Sequence, residues 1–248
     1  MLKWCDGRVV SNKVWTPGLF TLRIAVPEVQ PFTPGQFLHL ALTMEDGEEV
    51  NRAYSVASPH GEEIEFFIVK VDGGKLTPKL EQLKPGDRVQ IKERGAGGFT
   101  LAKTPDAQSI WLIGTGTGLA PFIAMLRDPE IWKRYSKIIV CHGVRKIVDL
   151  GYREELSRLT QEKPGQLVYV PTASREAGDG ILDGRLTTLL ETGALEAAAR
   201  VKFCPDSSAV MMCGNPDMLK DMEEMLGQRG LKRHRSKAPG NIVVETYW

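Results

Sequence analysis

Arg52-Ala53-Tyr54-Ser55 puts a cation, an aromatic ring and a small hydroxyl within four residues of an extended segment. In a strand, Arg52 and Tyr54 project to one face and Ala53 and Ser55 to the other. A guanidinium can grip a pyrophosphate through two parallel hydrogen bonds while a phenol ring covers a planar heterocycle beside it. That combination suits a flavin dinucleotide. Further along, Gly114-Thr115-Gly116-Thr117-Gly118 offers a second phosphate-handling element. Glycines let the backbone approach an anion, and the N–H groups and dipole at a helix start favour negative charge. The spacing is G-x-G-x-G and not the G-x-G-x-x-G fingerprint of dinucleotide folds, so the flanking strand and helix carry the expectation.

A unit built for NAD carries an acid after its second strand, where it accepts hydrogen bonds from the adenosine ribose. Here Val144-Arg145 stands at that place, Ser174-Arg175 follows the next apolar run, and Arg185 comes after Asp183-Gly184. Arginines so placed suit a 2′-phosphate, which points to NADPH. Each alone is a solvated cation; their shared position after successive strands unites them. Lys75-Leu76-Thr77, after Gly73-Gly74, opens a short helix with N–H groups and a hydroxyl for another phosphate, simple N-capping by Thr77 being the equal alternative. Cys213-Gly214-Asn215-Pro216-Asp217 ends another apolar run, where ligands of open α/β sheets bind.

The elements that must position these residues fall into two halves. Up to about residue 100, short alternating runs (Phe20 to Val26, Phe37 to Leu42, Arg52 to Ser58, Ile64 to Val71, and one through Val89 and Ile91) are punctuated by Pro34-Gly35, Asp46-Gly47 and Lys84-Pro85-Gly86-Asp87. Many strands at short spacing predict an antiparallel barrel with one helix, Leu76 to Leu83. Beyond about residue 105, compact apolar runs at Ile110 to Ile113, Lys137 to Cys141, Gln166 to Val170 and Ala209 to Met212 alternate with helical patterns at Ala120 to Arg127, Tyr152 to Gln161, Leu186 to Leu190 and Met218 to Leu226. This is the grammar of a doubly wound parallel sheet, with Asn241 to Tyr247 as a last strand and the seam at Ala102 to Pro105.

Composition excludes several classes. The 248 residues carry a net charge of +1, so no global field favours nucleic acid or an anionic membrane surface. No apolar run spans a bilayer and the start lacks a signal-peptide core, so the expected place is the cytoplasm. Cys5, Cys141, Cys204 and Cys213 have no metal-ligand or iron–sulfur spacing. The crowded cations Arg229, Lys232, Arg233, Arg235 and Lys237 read either as a solvated face or as a docking patch for an acidic protein, and Tyr247-Trp248 ends the chain on two aromatics.

Taken together, these motifs resemble those of the bacterial ferredoxin–NADP reductases (flavodoxin reductases) across essentially the whole chain. The resemblance implies a Greek-key β-barrel over residues 1–102 holding non-covalent FAD, then a doubly wound domain over 103–248 holding NADP(H), with the C-terminal residues returning to the FAD. It implies that Arg52, Ala53, Tyr54, Ser55, Phe67, Val69, Lys75, Leu76, Thr77, Thr117, Tyr247 and Trp248 hold FAD. It assigns Gly114, Gly116, Gly118, Val144, Arg145, Ser174, Arg175, Arg185 and Cys213 through Asp217 to NADP, with Ser55, Cys213 and Glu245 nearest the chemistry. The implied activity is reversible electron exchange between NADPH and ferredoxin or flavodoxin, by a monomer without metal, nucleic acid or membrane. The competing readings are an NADH-dependent oxygenase reductase, a free-flavin or quinone reductase, and a non-catalytic dinucleotide-binding module.

Overall fold

The computed structural model describes residues 3–246. By contact they form two compact units: residues up to Thr100 together with Ala120–Asp128, and Leu101–Leu119 together with Pro129 onward.

The first unit contains β1 (Trp4–Thr16), β2 (Leu19–Ala25), β3 (Phe37–Thr43), β4 (Glu49–Ser55), β5 (Glu63–Val69), α1 (Thr77–Gln82) and β6 (Arg88–Lys92). The strands are antiparallel in the order β4-β3-β6-β1-β2-β5. Alternation builds the core, since Leu22, Ile24, Leu38, Leu40, Ile64, Phe66 and Ile91 all turn inward. The sheet's two edges meet just past β4, where Val56 bridges Phe66 and the Ala57 N–H donates to the Glu65 carbonyl at 2.8 Å. The expected antiparallel barrel is therefore present. Its longest strand, β1, escapes the sequence reading because polar residues alternate with Cys5, Gly7 and Val9, and irregular pairing bends it at Val9/Ser11 and Val14/Thr16. It pairs with β6 first and with β2 afterwards.

The second unit begins with a 3-10 turn at Leu101–Lys103, followed by β7 (Ser109–Thr115) and a second 3-10 turn at Gly116–Leu119. The next helix, α2 (Ala120–Leu126), belongs by contact to the first unit, where Arg127 bonds the Ala57 carbonyl at 3.1 Å and pairs with Glu65 at 2.8 Å. The remaining elements are α3 (Pro129–Arg134), β8 (Lys137–Val144), α4 (Arg153–Glu162), β9 (Leu167–Ala173), β10 (Leu182–Asp183), α5 (Leu186–Glu191), α6 (Ala194–Ala199), β11 (Ser208–Gly214), α7 (Pro216–Gln228) and β12 (Ile242–Thr246). The sheet is parallel throughout, in the order β10-β9-β8-β7-β11-β12. From β7 the chain proceeds outward through β8 and β9, then returns to β11 on the other side. The strand order thus reverses between β7 and β11, where such sheets open a ligand crevice at the strands' C-terminal ends.

Candidate functional site

In the first unit, β4 pairs with β3 so that Arg52 faces Leu40, Tyr54 faces Leu38 and Ser55 faces Phe37. On its other side, bonding to the β5 region starts only at Val56, leaving Arg52 through Tyr54 on an edge with no partner strand among the described residues. Arg52 and Ala53 are exposed, and the Arg52 Nη1 donates to the Asn51 carbonyl at 2.7 Å. Tyr54 packs against the barrel core while Ser55 is buried. Among the described residues the buried Tyr54 hydroxyl has no hydrogen-bond partner, and burial, partly offset by the Arg52 cation, pushes the phenol up to about 12. An orphaned buried hydroxyl costs roughly 1–3 kcal/mol, which an acceptor on a ligand along this edge would relieve. The edge, the exposed cation and the orphaned phenol together fit a flavin dinucleotide.

Phe67 and Val69 occupy the face of β5 opposite to Phe66 and Ile68, with Phe67 edge-on to Trp15 at 6.4 Å and Val69 exposed. Near α1 the structure corrects the capping alternative. Leu76, not Thr77, is the N-cap and makes no side-chain cap; the Thr77 hydroxyl instead accepts the Val71 N–H at 2.9 Å. That bond folds the Gly73-Gly74 loop against the helix, at whose start the Leu76 and Thr77 N–H groups have no intrahelical acceptor while the Lys79 N–H bonds the Leu76 carbonyl. Lys75, just before α1, is paired with Glu48 at 2.6 Å and Lys79, within it, with Glu45 at 2.7 Å, two exposed bridges to the β3–β4 hairpin.

In the second unit, Pro171, His142, Gly114, Cys213 and Glu245 form one register row across five parallel strands. Alternation puts this row on the face opposite to Ile113, Cys141 and Met212, which pack with α5 and α7. Above Gly114 lies the glycine-rich loop, and its glycines have different duties. Gly118 is wedged against β11, where a Cβ would lie 2.4 Å from the Cys213 carbonyl oxygen, and a Cβ on Gly214 would lie 2.1 Å from Thr115 Oγ1. Gly116 alone has a left-handed φ of 52° and open space around its Cβ position. The loop is therefore a packed joint at Gly114, Gly118 and Gly214, and an open turn at Gly116.

Both neighbouring strands hold this loop. Thr115 Oγ1 accepts the Asn215 N–H at 2.8 Å, while the Asn215 carboxamide oxygen caps α7 at the Met218 N–H, 3.1 Å away, with Pro216 and Asp217 in the first turn. On the other side, His142 Nε2 lies 3.0 Å from the Gly116 carbonyl oxygen. Sequence reasoning assigned nothing to His142; the available signal was a single polar side chain within an apolar strand. Thr117 and Cys213 are buried, and Cys213 is not in a disulfide.

The arginines converge at the same sheet edge. The Arg175 N–H donates to the Arg145 carbonyl at 3.0 Å, the Ser174 N–H to the Val144 carbonyl at 3.1 Å, and the Gly184 N–H to the Ala173 carbonyl at 2.9 Å. Arg145, Arg175 and Arg185 thus follow three adjacent strands, all exposed and, among the described residues, none in an ion pair. The basic cluster near the C-terminus divides differently. Arg229 is tied to Glu196 at 3.0 Å and Arg233 to Glu223 at 2.8 Å, leaving Lys232, Arg235 and Lys237 exposed around a tight turn. Tyr247 and Trp248, expected to cover FAD, lie outside the described residues.

Residues 7–98 match the model of the oxidoreductase FAD-binding domain and residues 112–224 that of the oxidoreductase NAD-binding domain. The class is that of two-module oxidoreductases built for a flavin and a nicotinamide dinucleotide. The chain is 39% identical to the flavodoxin/ferredoxin–NADP reductase of Shigella flexneri, over all of both chains. It is 35% identical to the ferredoxin–NADP reductase of Azotobacter vinelandii, over 96% of this chain and 95% of that one. A crystal structure of a Neisseria gonorrhoeae ferredoxin NADP+ reductase with bound FAD and NADP superimposes with a TM-score of 0.94, at 30% identity and full coverage of both chains. The chain belongs to the flavodoxin/ferredoxin–NADP reductase family. Among the described residues no helix is long and apolar enough to cross a membrane, and no cluster of side chains suits a metal ion.

Proposed function

We propose that this chain exchanges electrons reversibly between NADPH and a one-electron carrier protein, ferredoxin or flavodoxin, by way of bound FAD. The observation that carries the reading is the match to flavodoxin/ferredoxin–NADP reductases, at 39% identity over the full length of both chains. Bound FAD supplies the interchange between the two-electron chemistry of a nicotinamide and the one-electron chemistry of a carrier. The chain's own residues bind, orient and shield.

In this reading residues 1–102 hold FAD and 103–248 hold NADP(H). Arg52 grips the FAD pyrophosphate, Tyr54 lies against the flavin ring, and the Ser55 hydroxyl holds a hydrogen bond at the ring's reactive edge. Phe67 and Val69 line the ring's surroundings. Because the Thr77 hydroxyl is engaged with Val71, the N–H groups of Leu76 and Thr77 meet the phosphates, with Lys75 exchanging Glu48 for them.

Arg145, Ser174, Arg175 and Arg185 hold the 2′-phosphate and adenosine, supported by their clustering and by the arginines having no ion pair among the described residues. Val144, the glycine loop with Thr117, and Cys213 through Asp217 line the path to the nicotinamide. Glu245, next to Cys213 in register, supplies the carboxylate there. Lys232, Arg235 and Lys237 steer an acidic carrier, and the enzyme works as a cytoplasmic monomer. NADPH-dependent reduction of purified flavodoxin and of ferredoxin tests the proposal: turnover with a carrier supports it, and turnover only with free flavin or quinones opposes it.

A further inference from the structure

His142 is fully buried, and its only side-chain hydrogen bond among the described residues runs from Nε2 to the Gly116 carbonyl. A carbonyl oxygen only accepts, so Nε2 carries the hydrogen and Nδ1 is left as a buried acceptor without a partner. Burial keeps the ring neutral, with its pKa lowered to about 4. An unpartnered ring nitrogen in a strand interior is unfavourable, and an aliphatic side chain would avoid it. Gly114, beside His142 in register, lies under the same loop, where a Cβ would come within 3.1 Å of the Gly118 carbonyl oxygen. The bond's target is Gly116, the first residue of the Gly116–Leu119 turn, which has a left-handed φ of 52° and nothing near its Cβ position. Gly118 and Thr115 fix the loop on the β11 side, and His142 fixes it on the β8 side.

We propose that His142 is a positioning residue for the nicotinamide dinucleotide: by holding the Gly116 carbonyl, it sets the orientation of the Gly116–Thr117 peptide on which affinity depends. A trans peptide points its carbonyl and its N–H in opposite directions. With the Gly116 oxygen turned toward His142, the Thr117 N–H is directed away from it, as a donor at the start of a turn. Rotation of that peptide would present a carbonyl oxygen instead, repelling the oxygens of the nicotinamide half, its phosphate or its carboxamide. The inference rests on the assignment of the glycine loop to the NADP site.

The test uses the flavin-loaded protein and two probes, NADP+ and 2′-phospho-AMP, whose binding constants are measured by calorimetry. The second probe lacks the nicotinamide half and draws on the adenosine and 2′-phosphate site of Arg145, Ser174, Arg175 and Arg185. His142→Leu is expected to bind NADP+ about tenfold more weakly, the loss of one hydrogen bond, and 2′-phospho-AMP within about twofold of the unchanged protein. His142→Gln, whose amide nitrogen takes the Nε2 position, is expected to restore NADP+ binding to within about threefold, as roughly 0.7 kcal/mol would permit. Should His142→Leu not fold, His142→Asn, whose amide reaches only the Nδ1 position, carries the same expectation. Equal NADP+ affinity in the Leu and unchanged proteins overturns the proposal, as does parallel weakening of both probes or failure of Gln to rescue. If the unchanged protein binds 2′-phospho-AMP and NADP+ with no gain from the nicotinamide half, the loop assignment itself fails, which is a distinct result.

Discussion

Gly118 and Cys213 are packed backbone to backbone: a Cβ at 118 would lie 2.4 Å from the Cys213 carbonyl oxygen and 2.7 Å from its carbon. No side-chain movement relieves that contact, so Gly118→Ala must push the loop off β11. We expect a loss of about 2–3 kcal/mol in urea unfolding, against about 1 kcal/mol for Gly116→Ala, where only the left-handed backbone resists. Equal losses would contradict the division of the loop into packed joint and open turn.

The arginine set predicts discrimination between dinucleotides. Arg175→Ala is expected to raise the KM for NADPH at least tenfold and that for NADH by less than about twofold, because only NADPH presents the 2′-phosphate that a charge-assisted bond of about 1.5–3 kcal/mol would hold. Steady-state kinetics with both donors checks this. Equal effects would remove Arg175 from the 2′-phosphate site.

Much of this arrangement is legible in the sequence, because it depends on local chain chemistry. The Arg52 to Ser55 strand end, the strand–glycine–helix unit at Gly114 and the arginines after successive strands are short-range patterns. What is hidden depends on pairing between distant residues. The role of Gly118 is set by Cys213, a neighbour that only the sheet order supplies. The Thr77 hydroxyl could not be told from a helix cap until Val71 was seen beside it. Arg229 and Arg233 belong to a cationic run in sequence, yet Glu196 and Glu223 neutralise them in space. The short helices α3 and α6 escape a periodicity reading because six residues make fewer than two turns.

The orphaned Tyr54 hydroxyl gives opposite expectations for the free and loaded protein. Tyr54→Phe removes a buried polar atom that lacks a partner, so the flavin-free protein should be as stable as before or up to about 1 kcal/mol more stable. FAD should nevertheless bind several-fold more weakly, as measured by quenching of its fluorescence. A destabilised flavin-free variant would show that the hydroxyl is satisfied without the ligand.

Because the His142 pKa falls from 6.5 to about 4 on folding, the unfolded chain takes up this proton at a higher pH than the folded one. Stability from this group is complete above about pH 6.5 and is lost as pH falls toward 4. Between pH 7.5 and 5 it accounts for a decrease of about 2 kcal/mol. Urea unfolding at those two pH values should show His142→Gln losing correspondingly less. An unchanged pH dependence would mean that the folded imidazole titrates normally.

The central claim, that one chain joins a flavin to NADPH, is tested most directly by the visible spectrum of the purified protein during anaerobic titration with NADPH and, separately, NADH. The account predicts a yellow protein with one FAD per chain, bleached at far lower NADPH than NADH concentration. A protein that remains colourless after incubation with FAD, or one that bleaches equally with both, would contradict it.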